Sequence, residues 1–187
     1  MKNLRSKTQK GFTRTNSKRS LGGFTIIEIL IVLAIAGLIL TIVFIAVPQL
    51  QRNTRDSQRQ NMAGRLSSEL NTYSSNNQGV FPFNGAGGTW AACTSLAASQ
   101  GCNDWYSRYI NGNVNIKEPK TGNDVTLNMS TSTTLPAWAA GNVYISVGNK
   151  CSGENIAAGG GGGANSKQYA LLIALERTST YYCIDNG

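Results

Sequence analysis

The most extended apolar stretch of the chain runs from Phe24 to Val47. Only four of its 24 residues are neither aliphatic nor aromatic, and these are Thr25, Glu28, Gly37 and Thr41. A helix of this length reaches about 36 Å at roughly 1.5 Å per residue, enough to cross a hydrocarbon core about 30 Å thick. An ordinary secretory signal has an apolar stretch of only about 7–15 residues. The pattern therefore predicts a membrane-spanning helix over 24–47.

A helical pattern continues beyond the apolar run. Apolar side chains recur at steps of three or four residues or their multiples, and they are Leu50, Met62, Leu66, Leu70 and Tyr73. The turn-forming cluster at 74–79 predicts the end. We expect one helix over about 24–76, in which 48–76 is an amphipathic extension facing a soluble domain. Two residues could bend it, since Pro48 removes a helix hydrogen bond and Gly37 lowers helix propensity.

The rest of the chain, 77–187, reads as a β-rich head domain. Short runs of β-branched and aromatic residues are separated by Gly, Ser, Thr and Asn. The predicted strands are 113–118, 124–129, 142–147, 168–175 and 180–184. One long helix followed by strands predicts an α+β fold, in which an antiparallel sheet packs on the helix. Five glycines at 159–163 predict a flexible connector, because no Lys-Ser/Thr pair follows as in a phosphate-binding loop.

The net charge of +8 is unevenly distributed. Residues 1–23 hold seven basic side chains and no acidic one, whereas the remaining 164 residues carry ten basic and nine acidic side chains. The basic excess therefore belongs to a short leader, and bulk charge gives little support for binding to nucleic acid. Because the larger basic cluster precedes the apolar run, we expect it to stay in the cytoplasm and residues beyond 50 to lie outside.

Glu28 is the only charged residue of the apolar run. A carboxylate inside a membrane costs roughly 2.5–3.5 kcal/mol on insertion scales, so such a residue indicates a function. The segment itself contains no Lys, Arg or His that could pair with it.

The sequence Gly23-Phe24-Thr25-Ile26-Ile27-Glu28, with basic residues before it and an aliphatic helix after it, closely resembles the processing site of type IV prepilins and pseudopilins. The resemblance is strong over about 18–47 and only architectural beyond. It implies that a prepilin peptidase cuts between Gly23 and Phe24 and methylates the new amino group of Phe24. It also implies that Glu28 acts in filament assembly, where it would neutralise the α-amino group of Phe24 in an adjacent subunit. A contact within one subunit is the alternative, because the two groups are about one helical turn apart.

The same resemblance implies a pilin-like fold, a structural role without catalysis, and a fixed set of partners. The chain would be a single-pass protein of the cytoplasmic membrane before assembly and a surface filament of identical subunits afterwards. Assembly ATPases and a platform protein would drive polymerisation. Related pilins often carry a helix proline somewhat earlier than Pro48. The resemblance therefore does not fix where a segment of the helix would unwind in the assembled filament.

Four cysteines, Cys93, Cys102, Cys151 and Cys183, all lie in the C-terminal part. An even number in an extracytoplasmic domain predicts disulfides, and the absence of His and of any C-x-x-C pair argues against zinc. The sequence leaves the connectivity open, although sequential pairing is favoured. The second pair then resembles the disulfide-bounded C-terminal loop of type IV pilins.

No constellation of catalytic residues, metal ligands or cofactor-binding residues emerges from the sequence. A hydrolase triad lacks its His. The acidic residues of the head are scattered singly, so a calcium loop finds little support. Lys117, Lys120 and Lys150 could touch nucleic acid, but solvated loops are the ordinary explanation.

The predicted function is therefore a repeated filament subunit. A pseudopilin of a secretion or DNA-uptake machine shares the same helix, and a minor pilin is a further alternative. A membrane-anchored binding or enzymatic domain would differ from all three, because it would remain uncut at Gly23.

Overall fold

The computed structural model of the protein describes residues 22–83, 88–93, 101–159, 166–177 and 180–187. The predicted leader, apart from its last two residues, and all but the first glycine of the 159–163 loop lie outside these residues. The chain divides into two compact units, 1–43 and 44–187.

Helix α1 (Ile26–Asn76) is 51 residues long and contributes to both units. It begins two residues after the predicted position and ends where the turn-forming cluster predicts. At its end the N–H of Gly79 donates to the carbonyl of Ser74 at 2.8 Å, while Gln78 and Gly79 both have positive φ. This left-handed exit is a common way to satisfy the last carbonyls of a helix.

The second unit contains seven strands and two short helical segments. The strands are β1 (Ala91–Ala92), β2 (Thr126–Ser130), β3 (Asn142–Val147), β4 (Asn149–Ser152), β5 (Asn155–Ala158), β6 (Tyr169–Ala174) and β7 (Tyr181–Asp185). Helix α2 (Cys102–Trp105) continues into a π-helical turn, Tyr106–Ile110. Five strands form one sheet in the order β1-β2-β3-β6-β7, and β4 pairs with β5 in a separate hairpin.

The predicted α+β layout is confirmed, but the sheet is mixed. Strands β2 and β3 run parallel, whereas every other pair in the sheet is antiparallel. A parallel pair needs a crossover connection. Residues 131–141 supply it by returning the chain to the end of the sheet at which β2 begins. The N–H of Thr126, the first residue of β2, donates to the carbonyl of Gly141 at that end.

The predicted strand at 113–118 is wrong. Its only ladder contact is an isolated bridge between Lys117 and Asp124, because the chain turns back immediately through 119–122. The strands β1, β4 and β5 carry no alternating pattern long enough to be predicted, and the other predicted strands match the structure to within two residues.

The sheet is buried on both faces. Along β3 and β6, alternate residues such as Val143, Ile145 and Leu171 join a core that includes Leu66 and Leu70 of α1. The intervening residues, including Tyr144 and Leu172, pack on the other face. There Trp90 and Tyr181 meet Tyr144 edge-on, with ring centroids 5.1 and 5.8 Å away. The two-residue period of a strand thus places one set of side chains against α1 and the other beneath the loops.

Candidate functional site

Glu28 closes the first turn of α1 together with Thr25. The backbone N–H and the hydroxyl of Thr25 both donate to Oε2 of Glu28, at 2.9 and 2.8 Å. In return, the N–H of Glu28 donates to the Thr25 hydroxyl at 3.3 Å. This reciprocal arrangement is a capping box, which satisfies N–H groups that have no partner inside the helix. The carboxylate is therefore held at the very start of the helix.

The surroundings of Glu28 are open and apolar. Phe24 is 84% exposed, and it lines a surface groove of about 410 Å³ together with Glu28, Ile29, Ile31 and Val32. An aromatic ring, a carboxylate and aliphatic side chains thus lie within a single groove. A second apolar chain bearing one positive charge would match this surface.

The two glycines before Phe24 are not required by packing. No atom lies within 4 Å of the position that a Cβ would occupy at Gly22 or Gly23. Neither residue has the positive φ that favours glycine. Nothing within the described residues therefore requires glycine at these two positions.

The first half of α1 exposes apolar side chains all around its axis. Within the described residues this is the helix that is long and apolar enough to cross a membrane, and none of its most apolar 18-residue window is buried. Large apolar residues from Phe24 to Leu50 expose roughly 40–85% of their surface. A helix that is apolar on every side needs a surrounding apolar medium or partner.

Gly37 and Pro48 both lie inside the continuous helix. The hydroxyl of Thr41 donates to the carbonyl of Gly37 at 2.9 Å, so this carbonyl has a side-chain partner. Pro48 has no N–H to donate to the carbonyl of Phe44. Bending at these two residues stays a prediction.

Residues 18–44 match the family described as the prokaryotic N-terminal methylation motif. The chain carries a prepilin-type methylation motif. This motif is characteristic of type IV pilins and prepilin-like proteins, and the long N-terminal helix fits it. No curated protein and no solved structure matches the chain.

A buried ion cluster lies within the second unit, and the sequence pattern does not reveal it. Arg59 of α1 is only 1% exposed, and Nη1 donates to Oδ1 of Asp56 at 2.7 Å. Its Nε donates to Oε2 of Glu118 at 3.3 Å, and Nη2 also bonds the Glu118 carboxylate. Glu176, between β6 and β7, lies 3.6 Å from the same Nη2. One guanidinium therefore joins α1 to two loops of the head.

Two carboxylates of this cluster titrate below their ordinary range. Burial alone would raise the pKa of Asp56, but the backbone N–H groups of Glu176 and Arg177, at 2.7 and 2.9 Å, and the guanidinium of Arg59 lower it. The hydrogen bonds from Arg55, both 2.8 Å long, lower the pKa of Glu176 despite partial burial. Both groups therefore favour their charged forms in the folded protein.

The spacing of the apolar residues does not identify Asp56 and Arg59 as buried, although both are. Arg59 lies three residues before Met62 and thus on the stripe that packs against the head. A charged residue in register with a core stripe is the signal that could have identified it. Its partners Glu118 and Glu176 come from remote loops, so no local pattern links them to the helix.

The four cysteines form the sequential pairs. Cys93 bonds Cys102, the first residue of α2, with Cα atoms 5.4 Å apart. Cys151 of β4 bonds Cys183 of β7, with Cα atoms 5.8 Å apart. The second bond joins the small hairpin to the edge of the main sheet.

The lysines considered for nucleic acid and the possible metal ligands are not grouped into a site within the described residues. Lys117 pairs with Asp124 at 3.1 Å, and Lys120 lies 3.8 Å from Glu176, so neither is a free cation for nucleic acid. Among the described residues, no three His, Cys, Asp or Glu side chains are grouped to hold a metal.

Proposed function

We propose that this chain is a structural subunit of a type IV pilus filament. A prepilin peptidase cuts it after Gly23 and methylates Phe24, and the mature helix polymerises. The observation that carries the proposal is the methylation motif at 18–44, which ends in a helix whose apolar side chains are not covered by any of the described residues.

Assembly follows because the apolar side chains of this helix are exposed in the single subunit. Burying an aliphatic side chain stabilises by about 1.5–3 kcal/mol, so the exposed helix is stable first in the bilayer and then among other helices. Glu28 opposes the bilayer state, because its charge is costly there. After the cut, the amino group of Phe24 in a neighbouring subunit can neutralise that charge, which favours the filament and sets its axial register.

The head fits a location outside the cytoplasm. Two disulfides persist in oxidising compartments, and the basic leader favours an orientation that places the head there. The polymer would bundle the apolar helices in its centre and carry the heads outside. Assembly ATPases and a platform protein in the membrane would supply the motion.

Mass spectrometry of the mature chain tests the processing. We expect a polypeptide that begins at Phe24 and carries one added methyl group. An intact Met1, or a cut at another residue, would contradict the proposal and would favour a membrane-anchored binding or enzymatic domain.

Substitution of Glu28 tests the assembly. We expect Glu28→Gln to be cleaved normally yet to give few filaments by electron microscopy, since its amide cannot neutralise the amino group. Glu69→Gln is the matched control, because it removes the same charge from the same helix at a half-buried position outside the apolar run. Normal filaments from the Glu28 variant would refute the pairing.

A pseudopilin of a secretion or DNA-uptake machine is the second candidate, since the motif and the exposed helix suit it equally. Deleting the gene separates the two. Loss of a long surface filament supports the pilus subunit, whereas a secretion or transformation defect in cells without such filaments supports the pseudopilin.

A further inference from the structure

Two arginines from distant parts of the chain meet at one surface cavity. Arg52 of α1 and Arg177, which follows β6, line a cavity of about 390 Å³ together with Gln49 and Asn53. All four side chains are polar, and the two charges have the same sign.

Neither arginine is neutralised within the described residues. Arg55 and Arg59 of the same helix bind carboxylates, whereas the guanidinium groups of Arg52 and Arg177 make no ion pair there. The backbone of Arg177 is nevertheless fixed, because its N–H donates to Oδ2 of Asp56 at 2.9 Å. Two arginines without an anionic partner among the described residues thus line one cavity, which suits the binding of an anion.

The position of Arg52 along the helix indicates the source of the anion. It lies five residues after Val47, the last residue of the apolar run, and is the first basic residue after that run. Five residues of helix rise about 7.5 Å, and the headgroup layer is roughly 5–7 Å thick on each side of the hydrocarbon core. If 24–47 spans the bilayer, as the proposed function requires, the lining residues from Gln49 to Asn53 rise about 3–9 Å beyond the apolar run, so the cavity overlaps the headgroup layer.

We propose that Arg52 and Arg177 bind the phosphate of an anionic phospholipid in the outer leaflet, before the subunit enters the filament. Guanidinium groups match phosphate oxygens with paired N–H donors, and the amides of Gln49 and Asn53 can bond the glycerol hydroxyls of the headgroup. A zwitterionic lipid binds less well, because its own cation competes for the phosphate. The bound lipid bridges α1 and the β6–β7 connection, and it is released when the subunit leaves the membrane.

Lipid retention by the full-length chain tests this site. The chain is reconstituted in vesicles of equal phosphatidylglycerol and phosphatidylcholine, extracted in mild detergent, and analysed by native mass spectrometry. We expect one phosphatidylglycerol adduct in excess over phosphatidylcholine. The measured quantity is the ratio of phosphatidylglycerol to phosphatidylcholine adducts. Each basic residue near an anionic surface contributes about fivefold in affinity. Arg52→Gln or Arg177→Gln alone should therefore lower this ratio about fivefold, and the double variant about 25-fold.

Two further variants separate the site from general charge. Arg65→Gln removes an exposed arginine from the same helix, 13 residues further on, and should leave the ratio unchanged. Replacing both Arg52 and Arg177 by Lys keeps the charge but loses the paired donors, so an intermediate ratio is expected. Tryptophan fluorescence of each variant verifies that the head is folded.

The outcomes are distinct. An unchanged ratio in the double Gln variant overturns the site, as does an equal loss in Arg65→Gln. Displacement of the lipid by excess inorganic phosphate would identify a free-phosphate site instead. Release of the wild-type chain from membranes by alkaline carbonate overturns both the membrane stage of the proposed function and this inference. A carbonate-resistant, correctly cleaved chain without preference for phosphatidylglycerol overturns the lipid site alone.

Discussion

Replacing Arg59 by Met should destabilise the head strongly, and the structure shows where the cost falls. Methionine retains much of the volume and the unbranched stem but removes the charge. Asp56 would keep its two backbone N–H donors, and Glu176 would keep both hydrogen bonds from Arg55. Glu118 is only 3% exposed and would keep a single bond, from the N–H of Lys120 at 3.3 Å. The uncompensated charge is therefore mainly that of Glu118.

Removing one partner of a buried ion pair typically costs about 3–5 kcal/mol. We expect Arg59→Met to lower the free energy of unfolding of the head by this amount. Adding Glu118→Gln removes the stranded charge, so the double variant should recover about half of the loss. Arg55→Met breaks a more exposed pair and should cost about 1 kcal/mol or less.

Urea titration of the full chain in mild detergent measures these differences. All three tryptophans, Trp90, Trp105 and Trp138, lie in the head, so their fluorescence follows its unfolding alone. A loss below about 1 kcal/mol for Arg59→Met, or no recovery with Glu118→Gln, would refute the assignment of Arg59 as the buried charge that holds the loops to the helix.

The remaining predictions concern pH, one glycine and the disulfides. Because the pKa values of Asp56 and Glu176 are lowered on folding, the unfolded chain binds more protons in acid than the folded chain. The free energy of unfolding should therefore fall as pH drops below about 4.5. Urea midpoints that stay constant from about pH 5 to about pH 3 would contradict this. A Cβ at Gly159 would lie 2.7 Å from the carbonyl oxygen of Gly148, so Gly159→Ala should lower the free energy of unfolding by about 1–3 kcal/mol. Gly64→Ala on α1, where the space is open, should raise it by about 0.5–1 kcal/mol, and urea titration measures both changes. Replacing both members of the Cys151–Cys183 pair by Ser should cost about 3–4 kcal/mol, more than for the Cys93–Cys102 pair, because its loop is longer; equal losses would contradict the chain-entropy argument.

The features that local sequence predicts are those set by neighbours along the chain. The helix start, the apolar run and the helix end at Asn76 each follow from a few consecutive residues, and so do the strands around Val143 and Leu171. The parallel pairing of β2 with β3 depends on the route of the connection at 131–141, which periodicity does not encode. The burial of Arg59 depends on carboxylates 59 and more residues away, so a charge that patterning assigns to solvent becomes part of the core.

The capping box at the start of α1 bears directly on how Glu28 can serve two partners. Both bonds from Thr25 go to Oε2, and within the described residues Oε1 accepts none. A carboxylate offers about four lone-pair sites on its two oxygens, so the cap and an amino group from a neighbouring subunit need not compete. The cap also fixes the rotamer of Glu28 before assembly, which removes about 0.5–1.5 kcal/mol of ordering cost when the contact forms. The cap with Thr25 therefore leaves a carboxylate oxygen for the amino group of Phe24, both for the proposed contact between subunits and for the alternative contact within one subunit.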